Sequence, residues 1–71
     1  MPNQERSNVF RFTGMVFTEI LRYSKSKNIE NIGITEINAI IKKCLDCACD
    51  ARRGTINLEL VGKIIREELT G

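Results

Sequence analysis

The chain contains no histidine, the side chain that most often moves protons in catalysis near neutral pH. It also has no glycine-rich phosphate loop and no nucleophile placed beside a general base. These absences together argue against an active site. The sequence therefore predicts a protein that binds other molecules and is not an enzyme, and it predicts no cofactor.

Long apolar runs are missing as well. No segment approaches the ~20 apolar residues that a membrane-spanning helix needs. The first residues, MPNQERSN, lack the apolar stretch of a secretory signal peptide. We therefore expect no membrane partner and a soluble, intracellular protein of the cytoplasm, nucleoid or nucleus.

The small size limits the fold to one domain. The chain has 71 residues, of which 42% are apolar and 28% charged, which is typical of a globular protein. Residues 1–7 are polar and predict a flexible arm, so the helical domain is expected over 8–71. A core this small favours association with another chain. The net charge of +2 permits nucleic-acid binding but does not require it.

The three cysteines, Cys44, Cys47 and Cys49, do not form a metal-binding pattern. Zinc sites usually need four ligands, and the chain offers neither histidine nor a second cysteine pair. On a helix these three thiols would point in different directions. We expect reduced thiols, with cysteine acting as a small core residue and no bound metal. A metal shared between two chains is the alternative.

Apolar residues recur at helical spacing along most of the chain, and no segment alternates as a strand would. The predicted all-α fold has three helices, at about 8–23, 35–53 and 57–69. Thr35 and Asn57 are predicted N-caps, while Arg52 and Arg53 lie in the last turn of the middle helix and Gly54 stops it. A longer middle helix that starts near Ser26 remains open.

The first predicted helix is apolar around about two-thirds of its circumference, more than one neighbouring helix can cover. This excess predicts a homodimer or a protein partner. Aromatic side chains could instead stack on single-stranded nucleic acid, but their helical spacing favours a core or an interface. The predicted interface residues are Phe10, Phe12, Phe17, Ile20, Leu21, Ile41, Cys44, Leu45, Ile64 and Ile65.

The segment ACDARRGTINLELV, from Ala48 to Val61, resembles histone-fold proteins such as archaeal histones and small centromere-associated relatives. Its alanines, basic pair and Thr-Ile step resemble the end of that family's central helix and the loop that follows. The resemblance covers roughly a third of the chain, judged on sequence pattern alone. Two features depart from the family: the acid at Glu59 comes one place early, and a middle helix that begins at Thr35 is short.

The resemblance implies nonspecific binding of duplex DNA by a dimer. Cations beside helix ends and loops can hold phosphate without reading sequence. Arg52 and Arg53 could instead only stabilise the helix end, and Asp46 and Asp50 fit a solvated helix face. The implied DNA-facing residues are Arg11, Arg22, Lys25, Lys27, Arg52, Arg53 and Thr55.

A second functional hypothesis needs no nucleic acid. The apolar first helix could dock on another protein, as expected of a small regulator or inhibitor, including one of phage or viral origin. The sequence thus predicts a small dimerising protein that works by macromolecular binding, with duplex DNA as the first candidate ligand.

Overall fold

The computed structural model describes residues 4–70, and these residues form three helices and one small hairpin. The helices are α1 (Gln4–Ser26), α2 (Ile34–Cys47) and α3 (Leu58–Thr70), and each packs on the other two. Two short antiparallel strands, β1 (Cys49–Asp50) and β2 (Thr55–Ile56), connect α2 to α3. The predicted three-helix, all-α class is confirmed. No helix among residues 4–70 is long and apolar enough to cross a membrane.

Helix α1 is longer than predicted at both ends. It begins at Gln4, so residues 4–7 belong to the helix and not to a flexible arm; residues 1–3 of that predicted arm lie outside the described residues. At the other end Asn28 adopts a left-handed conformation with φ of 54°. The N–H groups of Asn28 and Ile29 donate to the carbonyls of Lys25 and Ser24, which is the Schellman arrangement that ends a helix.

Helix α2 begins at Ile34, which excludes a start near Ser26. Gly33 is the N-cap in an extended conformation and supplies no side-chain hydrogen bond, so the predicted cap at Thr35 is wrong. The helix also ends at Cys47, six residues before Arg53. Its 14 residues make it shorter than α1, which has 23.

The segment after α2 turns back on itself instead of continuing as a helix. Cys49 pairs with Ile56 and Asp50 with Thr55, and the four residues between these strands form the turn. Gly54 closes the turn at φ of 71°, a left-handed conformation that glycine adopts without steric cost. The expectation of no strand anywhere is therefore wrong for Cys49–Asp50 and Thr55–Ile56.

The start of α3 agrees with the sequence. Asn57 accepts a hydrogen bond at 3.1 Å from the N–H of Leu60 through its side-chain oxygen, as an N-cap does. Ile56 and Val61 both contribute to the core on either side of this cap. The predicted cap and its hydrophobic contact explain why the helix begins at Leu58.

The three helices enclose a core that already uses half of the predicted interface. Phe12, Ile20 and Cys44 are fully buried within the single chain. Ile64 and Ile65 are at most 5% exposed, so none of these five residues is available to a partner. That part of the prediction is wrong because helical periodicity marks buried faces without saying what buries them. Ile41 and Leu45 are partly buried, while Phe10, Phe17 and Leu21 are exposed.

Candidate nucleic-acid interface

Arg52 and Arg53 lie at the tip of the hairpin, not at the end of a helix. The Asp50 side chain accepts hydrogen bonds from the backbone N–H groups of both arginines at 3.1 and 3.2 Å. The Gly54 N–H donates to the Asp50 carbonyl at 2.8 Å. Asp50 thus fixes the turn, which corrects its predicted place on a solvated helix face. The arginine side chains have no helix end to stabilise.

The two guanidinium groups extend into solvent. The Arg52 side chain is 86% exposed and the Arg53 side chain 81%. Their ion pairs are long: 3.9 Å from Arg52 Nε to Glu5 Oε2, and 3.7 Å from Arg53 Nε to Asp50 Oδ2. Exposed pairs of this kind contribute about 0–1 kcal/mol. A phosphate group can therefore replace these carboxylates at little cost.

Side chains from the first turns of α1 position the hairpin turn. Asn8 Nδ2 donates to the Ala51 carbonyl at 2.7 Å, and Arg11 Nη2 lies 3.4 Å from the Gly54 carbonyl. Asn8 and Arg11 are three residues apart, so they lie one above the other on the same side of the helix. The Arg11 guanidinium also lies 5.1 Å from the centroid of the buried Phe12 ring. This arrangement brings a third cation to the base of the hairpin.

The same side of α1 carries cations along its length. Arg11, Arg22 and Lys25 recur at i, i+11 and i+14, which places them within an arc of about 60° on the helix surface. Thr18 lies between them in the same arc, and all four are exposed. The acids of α1, Glu5 and Glu19, lie outside this arc, and Glu19 Oε2 reaches to 3.6 Å from Arg22 Nη1 at its edge. Arg11 and Lys25 are about 21 Å apart along the helix axis.

We call Arg11, Arg22, Lys25, Arg52 and Arg53 the basic surface. Of the other predicted DNA-facing residues, Thr55 is exposed beside Gly54 at the hairpin, and Lys27 follows the end of α1. The structure thus gathers Arg11, Thr55 and the arginine pair at one end of α1. Arg22, Lys25 and Lys27 lie at the other end, so the predicted set forms two groups on one helix.

A groove of about 330 Å³ separates the second half of α1 from α3. Arg22 and Arg66 line it together with Tyr23. Arg66 was not among the predicted DNA-facing residues, because its position in α3 gives no local signal that it lies near Arg22. Asn8 was missed for the same reason, since its partner Ala51 is 43 residues away.

Beside the cations, α1 exposes an apolar stripe, which we define as Phe10, Gly14, Phe17 and Leu21. Phe10 is 75% exposed, Phe17 41% and Leu21 50%. A Cβ atom at Gly14 would meet no atom within 4 Å. The stripe is separate from the buried face of α1, so the helix has two apolar faces and only one of them is covered.

The cysteines differ in their surroundings. Cys44 is buried, which confirms it as a core residue, and burial raises the pKa of its thiol to about 11. Cys49 lies half-buried in β1, where burial also raises its pKa. Cys47 is exposed, so the core assignment is wrong for this thiol. Within residues 4–70 no three Cys, Asp or Glu side chains converge on a potential metal site.

No protein-family model matches this sequence, and no curated protein or solved structure matches it. The candidate interface is therefore defined by the geometry of the chain alone.

Proposed function

We propose that this protein binds duplex DNA without sequence preference, through the basic surface. The observation that carries the proposal is the exposed arginine pair at the hairpin tip, at 86% and 81% exposure, with Arg11 at its base. The arginines project from a turn that Asp50 and Gly54 already hold in shape. The turn does not need their charge, and their long, exposed ion pairs with Glu5 and Asp50 leave that charge available to a ligand. The histone-fold resemblance stays a prediction, and the exposure of these arginines does not depend on it.

The mechanism is neutralisation of phosphates by side chains. The backbone N–H groups of Arg52 and Arg53 donate to Asp50, so they are not available to an anion. Contact then depends on the guanidinium groups, which suit phosphate geometry well. Contacts of arginine and lysine with phosphate position a protein on DNA and carry no base information. Binding of DNA places the protein in a compartment inside the cell.

The direct test removes the hairpin charges. For the Arg52→Ala/Arg53→Ala variant we expect about tenfold weaker binding or more to a short fluorescent duplex at low salt, measured by anisotropy. The matched control is Lys42→Ala/Lys63→Ala, which removes the same charge from exposed positions on α2 and α3. The control should change the affinity for the duplex less than about threefold, because these lysines contribute only to the electrostatic field of the whole protein. Equal losses in both variants, or no binding by the parent, would contradict the proposal.

We further propose that the protein acts as a homodimer, since the apolar stripe on α1 lies uncovered in the single chain. The same stripe supports the second candidate function. If the parent protein does not bind DNA, the stripe is its strongest interaction surface, and the chain then acts by docking on another protein as a regulator or inhibitor.

A further inference from the structure

The apolar stripe is symmetrical in its spacing. Phe10, Gly14, Phe17 and Leu21 are separated by four, three and four residues, so the pattern is the same in both chain directions. A twofold interface requires a surface that is complementary to its own reversed copy. When two α1 helices run antiparallel, Phe10 faces Leu21 of the second copy, and Gly14 faces Phe17.

The residue sizes also match across such a contact. Gly14 leaves a hollow, because a Cβ atom there would have open space around it. Phe17, 41% exposed, supplies a large side chain at the opposing position. A large residue over a small one lets two helices approach closely, as in knobs-into-holes packing. The stripe therefore suits a second copy of this chain.

We propose that two copies pair through antiparallel apolar stripes, and that duplex DNA strengthens this dimer by neutralising cations that the pairing brings together. The coupling to DNA rests on the proposed function, whereas the pairing itself does not. An antiparallel twofold pair turns equivalent sides of its two helices toward the same side of the dimer. Because Arg11, Arg22 and Lys25 lie beside the stripe, the two rows of cations become neighbours on one face.

The charges along this face explain the coupling. In the register that sets Gly14 opposite Phe17, Arg11 lies about 3 Å along the axis from Arg22 of the second copy. Arg22 pairs with Glu19 at 3.6 Å, but one long, exposed ion pair offsets little of the repulsion between the two rows of cations. Phosphates of a duplex supply further opposite charge. If duplex DNA binds the dimer more tightly than the monomer, it must strengthen the dimer by mass action.

The first test is the salt dependence of dimerisation without DNA, measured by sedimentation equilibrium. Salt screens repulsion between exposed charges. As NaCl rises from about 50 to about 500 mM, we expect the dimer dissociation constant to fall several-fold, so the dimer becomes stronger, while the affinity for DNA decreases. A protein that stays monomeric at every salt concentration, or a dimer that salt weakens, would overturn the proposed interface.

The second test compares two glycines. Gly14→Gln places an uncharged bulky side chain in the hollow, whereas Gly62→Gln makes the same change at a helical position of α3 that also has open space. Both variants should keep the fold, since glutamine favours helix over glycine; thermal unfolding checks this. Only Gly14→Gln should remain monomeric, and it should bind duplex about tenfold less tightly although every cation is intact.

The results distinguish a failure of the coupling to DNA from a failure of the proposed DNA binding or of the antiparallel interface. If Gly14→Gln is monomeric yet binds duplex like the parent, the coupling to DNA is wrong while DNA binding stands. If the parent dimerises as described and binds no duplex, the proposed function fails and the coupling fails with it. If Gly62→Gln loses both properties to the same extent as Gly14→Gln, the antiparallel stripe is not the interface.

Discussion

The glycines Gly54 and Gly14 have opposite effects on the stability of the single chain. Gly54 has φ of 71°, and a Cβ atom there would lie 3.2 Å from Nδ2 of Asn8. Gly14 lies inside α1 with open space around it. The first position therefore requires glycine for folding, while the second lowers the stability of the single chain.

We expect Gly54→Ala to destabilise the protein by about 1–2 kcal/mol, because a left-handed conformation is strained for alanine. Gly14→Ala should instead stabilise the monomer by up to about 1 kcal/mol through better helix propensity. Denaturant unfolding of both variants at low protein concentration measures the two free energies. Equal effects of the same sign at both positions would contradict these assignments.

Cys44 makes a pH-dependent contribution to stability. Burial raises the pKa of its thiol from 9.0 to about 11, so the folded state keeps a proton that the unfolded chain releases above pH 9. Its contribution is complete below pH 9 and declines as the pH rises toward 11. The hydrogen bond with Glu68 raises the pKa of Lys43. Deprotonation of Lys43 therefore removes further stability at alkaline pH.

Comparison with Cys44→Ala isolates the contribution of the thiol, because Lys43 titrates in both proteins. Between pH 9 and 11 the parent should lose on the order of 2 kcal/mol more unfolding free energy than the variant. Urea denaturation at several pH values gives this difference. Identical pH profiles would mean that the thiol is not protected by burial.

At the scale of elements, sequence patterns predicted the helices better than their ends. The apolar periodicity identified α1, α2 and α3 because each buries one face, and the cap at Asn57 gave the start of α3 correctly. The end of α2 was missed because residues 48–53 include good helix formers. After the C-cap at Ala48 these residues form the hairpin instead, where Asp50 holds the turn and Asn8 makes a contact that local sequence cannot reveal.

In the candidate site, too, sequence predicted the residues but not their surroundings. The arginines were identified from their charge, but their exposure follows from a hairpin that was predicted to be a helix. The two apolar faces of α1 were visible as an excess of apolar residues. Which face is buried depends on how α2 and α3 pack, and the sequence of α1 alone does not determine this.

The hairpin and α1 should act as one unit through Asn8. Asn8→Ala removes the 2.7 Å hydrogen bond to the Ala51 carbonyl and should cost about 1 kcal/mol. The amides of Gly54 and Asn57 should then exchange faster with solvent, as seen by hydrogen exchange, while core amides change less. Asn38→Ala, at an exposed position on α2, is the control. Unchanged exchange in the hairpin would show that Asn8 does not hold it.

At the scale of the whole molecule, the distribution of charge matters more than its total. The chain has 11 basic and 9 acidic residues, a net charge of only +2. The basic surface nevertheless concentrates five cations at the hairpin and along one side of α1, which is about 34 Å long in a molecule of 43 Å. Such concentration suits a long polyanion rather than a small ligand.

The salt dependence of duplex binding by the parent protein tests the central claim most directly. If the five cations each neutralise one phosphate, the logarithm of the binding constant should fall against the logarithm of salt concentration with a slope of about −4.5, or steeper for a dimer. Between about 50 and about 200 mM salt this is a loss of roughly 500-fold. Anisotropy titrations with two unrelated duplex sequences should give the same slope. A slope between zero and about −1, or no binding at low salt, would contradict the account.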